Sequence, residues 1–102
     1  MTQAEASLLK FLKIAREAEI EQGNFFGFQA LKFRGKSFVI LSGEHLVFRL
    51  DEDLRNEAMA LAGASLWNPF GKEKRNWVQI SSDEAVRWKY FFDAALRLIR
   101  TR

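Results

Sequence analysis

The sequence predicts an α+β domain: two layers, with an antiparallel sheet and helices in the order α-β-β-β-α-β-β-α. Three observations carry that reading. The stretch from Leu31 to Leu50 consists of apolar runs punctuated by Gly35 and Gly43, each placed where a tight hairpin turn needs a glycine. The flanking segments repeat apolar residues at helical spacing instead: Leu8, Phe11, Leu12, Ala15 and Ala18 on one side, and Ala85, Trp88, Phe92, Ala95 and Ile99 on the other. Finally, 102 residues with 48% hydrophobic content and ten phenylalanines suit one folded domain over residues 1–102, because disordered chains are poor in aromatics.

The elements follow in order. Thr2 and Glu5 form a capping box that starts a helix read over residues 3–22, with Lys13 and Glu17 four apart on its exposed side. Gly23-Asn24 is its stop, since both residues tolerate a left-handed backbone. Phe28 to Phe33 is the first strand, and Ser37 to Leu41 the second. The run Phe38-Val39-Ile40-Leu41 is apolar on both faces, which predicts a covered central strand. His45 to Leu50 alternates, with Leu46, Phe48 and Leu50 facing one way. Asp51 caps a second helix whose apolar stripe is Leu54, Ala58 and Leu61, ended by Gly63. Leu66 to Phe70 contains Pro69, which cannot donate to a ladder, so this strand is short and at an edge. Gly71 to Asn76 is a charged loop, and Trp77 to Ile80 the strand that returns from it. Ser81 and Glu84 form a second capping box before the last helix, where Lys89, Asp93 and Arg97 alternate in sign.

Chemistry-bearing patterns are sparse. With no cysteine, disulfides, thiolate metal sites and a cysteine nucleophile are excluded. His45 is the one histidine, and Glu44 beside it points to the opposite face of a strand, so no triad is expected. The run Asp51-Glu52-Asp53 lacks the spacing of a calcium loop and is explained by capping. Phe70-Gly71-Lys72-Glu73-Lys74 has a single glycine and leads into a strand, so it is no phosphate loop. The expectation is a non-catalytic protein with no metal and no cofactor. The helical stretches are interrupted by charges, so no membrane span and a cytoplasmic location are expected.

Two surfaces are candidates. The net charge of +3 is unevenly spread. Arg34 and Lys36 flank one turn, and Lys72, Lys74 and Arg75 occupy the charged loop. Basic tips of this kind suit contact with nucleic-acid phosphates or another anion, and equally keep a sheet soluble. The aromatic surplus, 14% of the chain, points to a protein interface at Trp77, Tyr90, Phe91 and Leu98. The doubly apolar second strand adds to this, since helices in this order need not cover both sheet faces within one copy.

Several short motifs carry a family resemblance over residues 8–100. Gly35-Lys36-Ser37-Phe38, the junction Leu46-Val47-Phe48-Arg49-Leu50-Asp51, Pro69-Phe70, Trp77-Val78 and the closing aromatic helix resemble the TfoX N-terminal-like domains. They also resemble the related YjbR (MmcQ-like) small bacterial proteins. Asn24-Phe25-Phe26-Gly27-Phe28 stands where TfoX-like domains carry a Met-Phe-Gly-Gly segment. The resemblance implies a fold like that of type III secretion chaperones, a bacterial regulatory setting and no catalytic residues to carry over. The combined expectation is a small binding or regulatory domain that contacts a protein, including a second copy of itself. DNA binding through the basic tips is the alternative, and a small-molecule enzyme the remote one.

Overall fold

A computed structural model describes residues 2–15, 19–69, 71 and 74–101, with the side chains of Lys74 and Arg75 excepted. Helix α1 spans Gln3–Ile14 and is followed by four strands: β1 (Ile20–Phe25), β2 (Phe28–Phe33), β3 (Lys36–Ser42) and β4 (His45–Arg49). Helix α2 (Glu52–Met59), strands β5 (Ala64–Trp67) and β6 (Lys74–Ile80), a 3-10 segment (Ser82–Arg87) and α3 (Trp88–Arg100) complete the chain. The strands form one antiparallel sheet in the order β1-β2-β3-β4-β6-β5. The α+β class and the antiparallel sheet are as the sequence predicts.

The first helix is shorter than the predicted 3–22. The Thr2 hydroxyl accepts from the Glu5 amide at 3.1 Å, as the capping box requires, but the helix ends at Ile14 with Ala15 as its C-cap. Residues 20–25, including Gly23-Asn24, form a strand because pairing Ile20 with Phe33 buries both, to 9% exposure each. Tertiary burial outweighs the weak helical preference of Glu21 and Gln22. The sheet therefore has six strands where five were predicted. Ala18 and Glu17, assigned to that helix, lie outside the described residues, as does Phe70 in the predicted edge strand.

The hairpins follow from local chemistry. Phe26-Gly27 and Arg34-Gly35 each join their strands in two residues, all with positive φ (50°, 87°, 49° and 82°). This is the turn whose twist matches that of paired strands. Helix α2 starts at Asp51, whose carboxylate accepts from the Leu54 amide at 3.0 Å. Ser81 is an N-cap, but not in the predicted capping box with Glu84: its hydroxyl accepts from the Asp83 amide at 3.1 Å, the Glu84 amide donates to the Ser81 carbonyl, and what it opens is the 3-10 segment. The segment ends at Trp88, where α3 begins, and the Trp88 indole donates to the Ile80 carbonyl at 3.1 Å.

The helices cover one sheet face. There Leu8, Phe11, Leu31, Phe33, Leu46, Phe48, Val78 and Ile80 pack with Trp88, Phe91, Phe92 and Ile99. Phe11 stacks on Phe92 at 4.9 Å between ring centroids. Strand β3 serves both faces through a bulge: Lys32 pairs with Ser37 and Leu31 with Val39, leaving Phe38 as the extra residue. Phe38 and Val39 thus both join the helix side, while Ile40 points to the other face.

That other face carries no helix, yet it is covered. Ala30, Ile40 and Val47 are fully buried beneath Trp67, Trp77, Phe25 and Phe28. Phe25 on β1 lies 6.2 Å from Trp67 on β5, ring centroid to centroid, although these strands are the two edges of the sheet. In a flat sheet, five strand spacings would hold them roughly 24 Å apart. The sheet is therefore strongly coiled, and its edge aromatics close over the concave face. Trp77 sits 5.3 Å from Phe25 and 6.0 Å from Trp67, and Phe28 meets Trp67 edge-on at 5.2 Å. The doubly apolar strand needs no second molecule to bury it.

Candidate functional site

Among the described residues the large exposed apolar side chains are Ile14, Phe26, Met59, Val86 and Tyr90. Two of them, Val86 and Tyr90, stand four apart at the entrance to α3. Val86 belongs to the 3-10 segment and is 90% exposed; Tyr90 is 50% exposed. The segment puts Val86 outward because the inward stripe is set by Trp88, Phe92 and Ala95, which anchor α3 to the sheet. Against this corner, α2 and the residues after it bring Glu57 and Leu61.

Between the two elements lies a notch of about 130 Å³ lined by Glu57, Leu61, Arg87, Tyr90 and Phe91. Its floor is apolar and its rim carries one acid and one base. Phe91 is buried at the back and meets the Tyr90 ring edge-on at 4.9 Å, which fixes the Tyr90 orientation. The Tyr90 phenol is held above its ordinary pKa of 10.0, first because it donates toward the Glu57 carboxylate and then through partial desolvation. The notch therefore offers an aromatic wall, a polarised hydroxyl and a small apolar recess.

Of the predicted interface residues, Tyr90 is on this rim. Trp77 (8% exposed) and Phe91 (3% exposed) are buried within the chain, so their aromatic surface is already covered. Leu98 is half-buried and lines a narrow crevice with Arg49, Ala95 and Ile99 at the far end of α3. The four do not form one surface. Glu57, Leu61 and Arg87 on the notch, and Val86 just before it in the chain, were missed. A signal existed for Val86, which is apolar and directly after Ala85, hence off the stripe that Ala85, Trp88 and Phe92 define.

The basic candidates gather at the opposite end of α3. Arg34 and Lys36 are exposed at the β2–β3 turn. Arg34 donates from Nε to Glu19 at 2.8 Å, which lowers the Glu19 pKa and raises that of Arg34; the charge of Arg100 adds to the effect on Glu19. Lys74 and Arg75 open β6, and the Leu50 amide donates to the Asn76 carbonyl. The register thus puts the start of β6 at the same end of the sheet as the Arg34-Gly35 turn. Lys72 lies outside the described residues. An open cleft of about 490 Å³, lined by Asp93, Leu96, Arg97, Arg100 and Thr101, extends this end. Asp93 is held by Lys89 at 2.7 Å, the predicted pairing on that helix face.

His45 lies at the start of β4, paired in register with Ser42. The Ser42 hydroxyl accepts from the Trp67 indole at 3.4 Å. The His45 Nδ1 atom is buried and, among the described residues, has no hydrogen-bond partner. Among those residues no group of three or more His, Asp or Glu is placed to hold a metal ion, and no helix is long and apolar enough to cross a membrane. Set against protein-family models, curated proteins and solved structures, the chain finds no match.

Proposed function

We propose that this domain is a non-catalytic protein-binding module, and that the notch between α2 and α3 is its contact surface. The observation that carries the reading is half-exposed Tyr90 at the rim of an apolar recess that stays open, with Val86, 90% exposed, four residues before it in the chain. An open apolar recess with an aromatic rim is the kind of surface that a partner covers. A recess of about 130 Å³ approaches the roughly 150 Å³ that admits a benzene ring. The partner is therefore a protein that inserts one apolar side chain there, with polar groups meeting Glu57 and Arg87. The resemblance to TfoX N-terminal-like and YjbR-like domains agrees with a bacterial regulatory role of this kind. That resemblance rests on short motifs alone: Gly35-Lys36-Ser37-Phe38, Leu46 to Asp51, Pro69-Phe70, Trp77-Val78 and the closing aromatic helix.

A photo-crosslinking amino acid at position 86, expressed in the source cells, tests the proposal. It should yield a discrete protein adduct that disappears when Tyr90→Asp is added. A crosslinker at Glu52, exposed on the first turn of α2, serves as the control. The same adducts from both positions, or none from position 86, would overturn the reading.

A second reading is DNA contact through the basic end, favoured by the shared position of the Arg34-Gly35 turn and the start of β6. Binding would then fall steeply with salt, as condensed counterions are displaced. Charge reversal at Lys72, Lys74 and Arg75 would weaken it; an unchanged affinity would remove this site.

A further inference from the structure

The two edges of the sheet are unlike each other. Strand β5 has four residues, its ladder slips between Leu66 and Trp67, and Pro69 follows two residues later. Short length, a bulge and proline are the usual guards of an exposed edge. Strand β1 has none of them. It has six residues in unbroken register with β2, and Glu21, Gln22 and Asn24 are exposed. From this contrast we infer that β1 is a pairing edge, and that its occupant is the β1 strand of a second copy, antiparallel and related by a two-fold axis at Gln22.

The register follows from the hairpin. A two-residue turn makes Phe25 and Phe28 a hydrogen-bonded pair, so Glu21, Gly23 and Phe25 turn their amides and carbonyls to β2. Ile20, Gln22 and Asn24 turn theirs outward. Setting Gln22 opposite its own copy places Ile20 opposite the second copy's Asn24. All three outward residues are then used, making about six new backbone hydrogen bonds.

Charge complementarity selects a second copy of this chain as the occupant. Glu21 and Lys32 are direct cross-strand partners, yet no ion pair joins them. Lys32 instead leans over Gly23: a Cβ there would lie 3.1 Å from Lys32 Cε and 3.6 Å from its Nζ. In the two-fold register, Glu21 of one copy stands directly opposite Gly23 of the other, beside the ammonium that covers it. Each interface would thus form two Glu21–Lys32 pairs between copies, and the acid on each edge strand faces a glycine rather than its like. The surface is separate from the α2–α3 notch, so either proposal can fail alone.

Sedimentation equilibrium on the full chain tests the pairing, together with a disulfide trap that the cysteine-free background makes clean. The chain should reversibly dimerise. Gln22→Pro, which removes an outward amide but none of the β1–β2 ladder, should weaken dimerisation at least about tenfold while the melting temperature at dilute, monomeric concentration is retained. Glu21→Lys should weaken it too, and Glu21→Lys with Lys32→Glu should restore it. Gln22→Cys should oxidise to a covalent dimer, because facing residues of a hydrogen-bonded pair lie roughly 5.5 Å apart between Cα atoms, within disulfide range. Ser65→Cys on the other edge should not. A monomer at the highest soluble concentration, a dimer indifferent to both Gln22→Pro and Glu21→Lys, or equal trapping at Ser65→Cys would overturn the inference.

Discussion

Replacing Trp67 by alanine probes the feature that most shapes this molecule, the self-covering concave face. Trp67 is 2% exposed and touches the rings of Phe25, Phe28 and Trp77. A buried tryptophan removes about 150–250 Å² from water. At about 25 cal/mol per Å², that is about 4–6 kcal/mol, an upper bound because the unfolded chain is itself partly compact. Aromatic-to-alanine changes in protein cores cost about 3–5 kcal/mol, cavity included. The indole hydrogen bond to Ser42 is long at 3.4 Å and adds little. The expected loss is therefore about 4 kcal/mol, a large share of the roughly 5–15 kcal/mol that holds such a domain. Urea unfolding read by fluorescence and circular dichroism gives the number, with an unchanged slope as the check on two-state behaviour. A loss below about 1 kcal/mol would refute the reasoning, since it would mean that the edge aromatics do not close over the sheet.

Other predictions concern single groups. Arg34 depresses the Glu19 pKa below 4.5, so their pair stabilises the fold above the unfolded carboxylate range and stops doing so as pH falls through the lower folded value. Glu19→Gln should thus lower the melting temperature slightly at neutral pH and not in acid; a difference that persists in acid would contradict the pairing. Tyr90 is the one tyrosine, so tyrosinate absorbance follows it alone. Glu57→Gln should move that titration down toward 10.0, and an unmoved curve would deny the Glu57 contact. Gly35→Ala should cost about 1 kcal/mol in chemical denaturation. A Cβ there meets nothing within 4 Å, so the cost comes from φ of 82° alone, and a neutral effect would mean the turn relaxes.

The legible parts of the fold were those specified locally. The caps at Thr2 and Asp51 are legible in sequence, Ser81 is legible as a cap though not its partner, and Gly35 and Gly43 mark two hairpins. Strand β1 was hidden because Glu21 and Gln22 suit a helix and its burial comes from residues distant in sequence, Phe33 against Ile20 and Trp67 and Trp77 against Phe25. One local cue was present: Gly27, Gly35 and Gly43 recur every eight residues, a spacing typical of successive hairpins. The coiling of the sheet was not legible. It depends on which rings meet across it, so Trp77 read as surface when it is interior. The candidate site was half legible for the same reason. Tyr90 stood out as an aromatic beyond the main stripe, whereas Glu57 and Leu61 join it only because α2 packs on β5 and β6 and so ends beside the start of α3.

Hydrogen–deuterium exchange on the complex with the protein trapped at position 86 tests the central claim most directly. The account predicts slowed exchange in residues 57–61 and 86–91 and unchanged exchange in the concave-face strands β2 and β3. Protection concentrated on the strands, or at the Arg34-Gly35 turn and the start of β6, would contradict it.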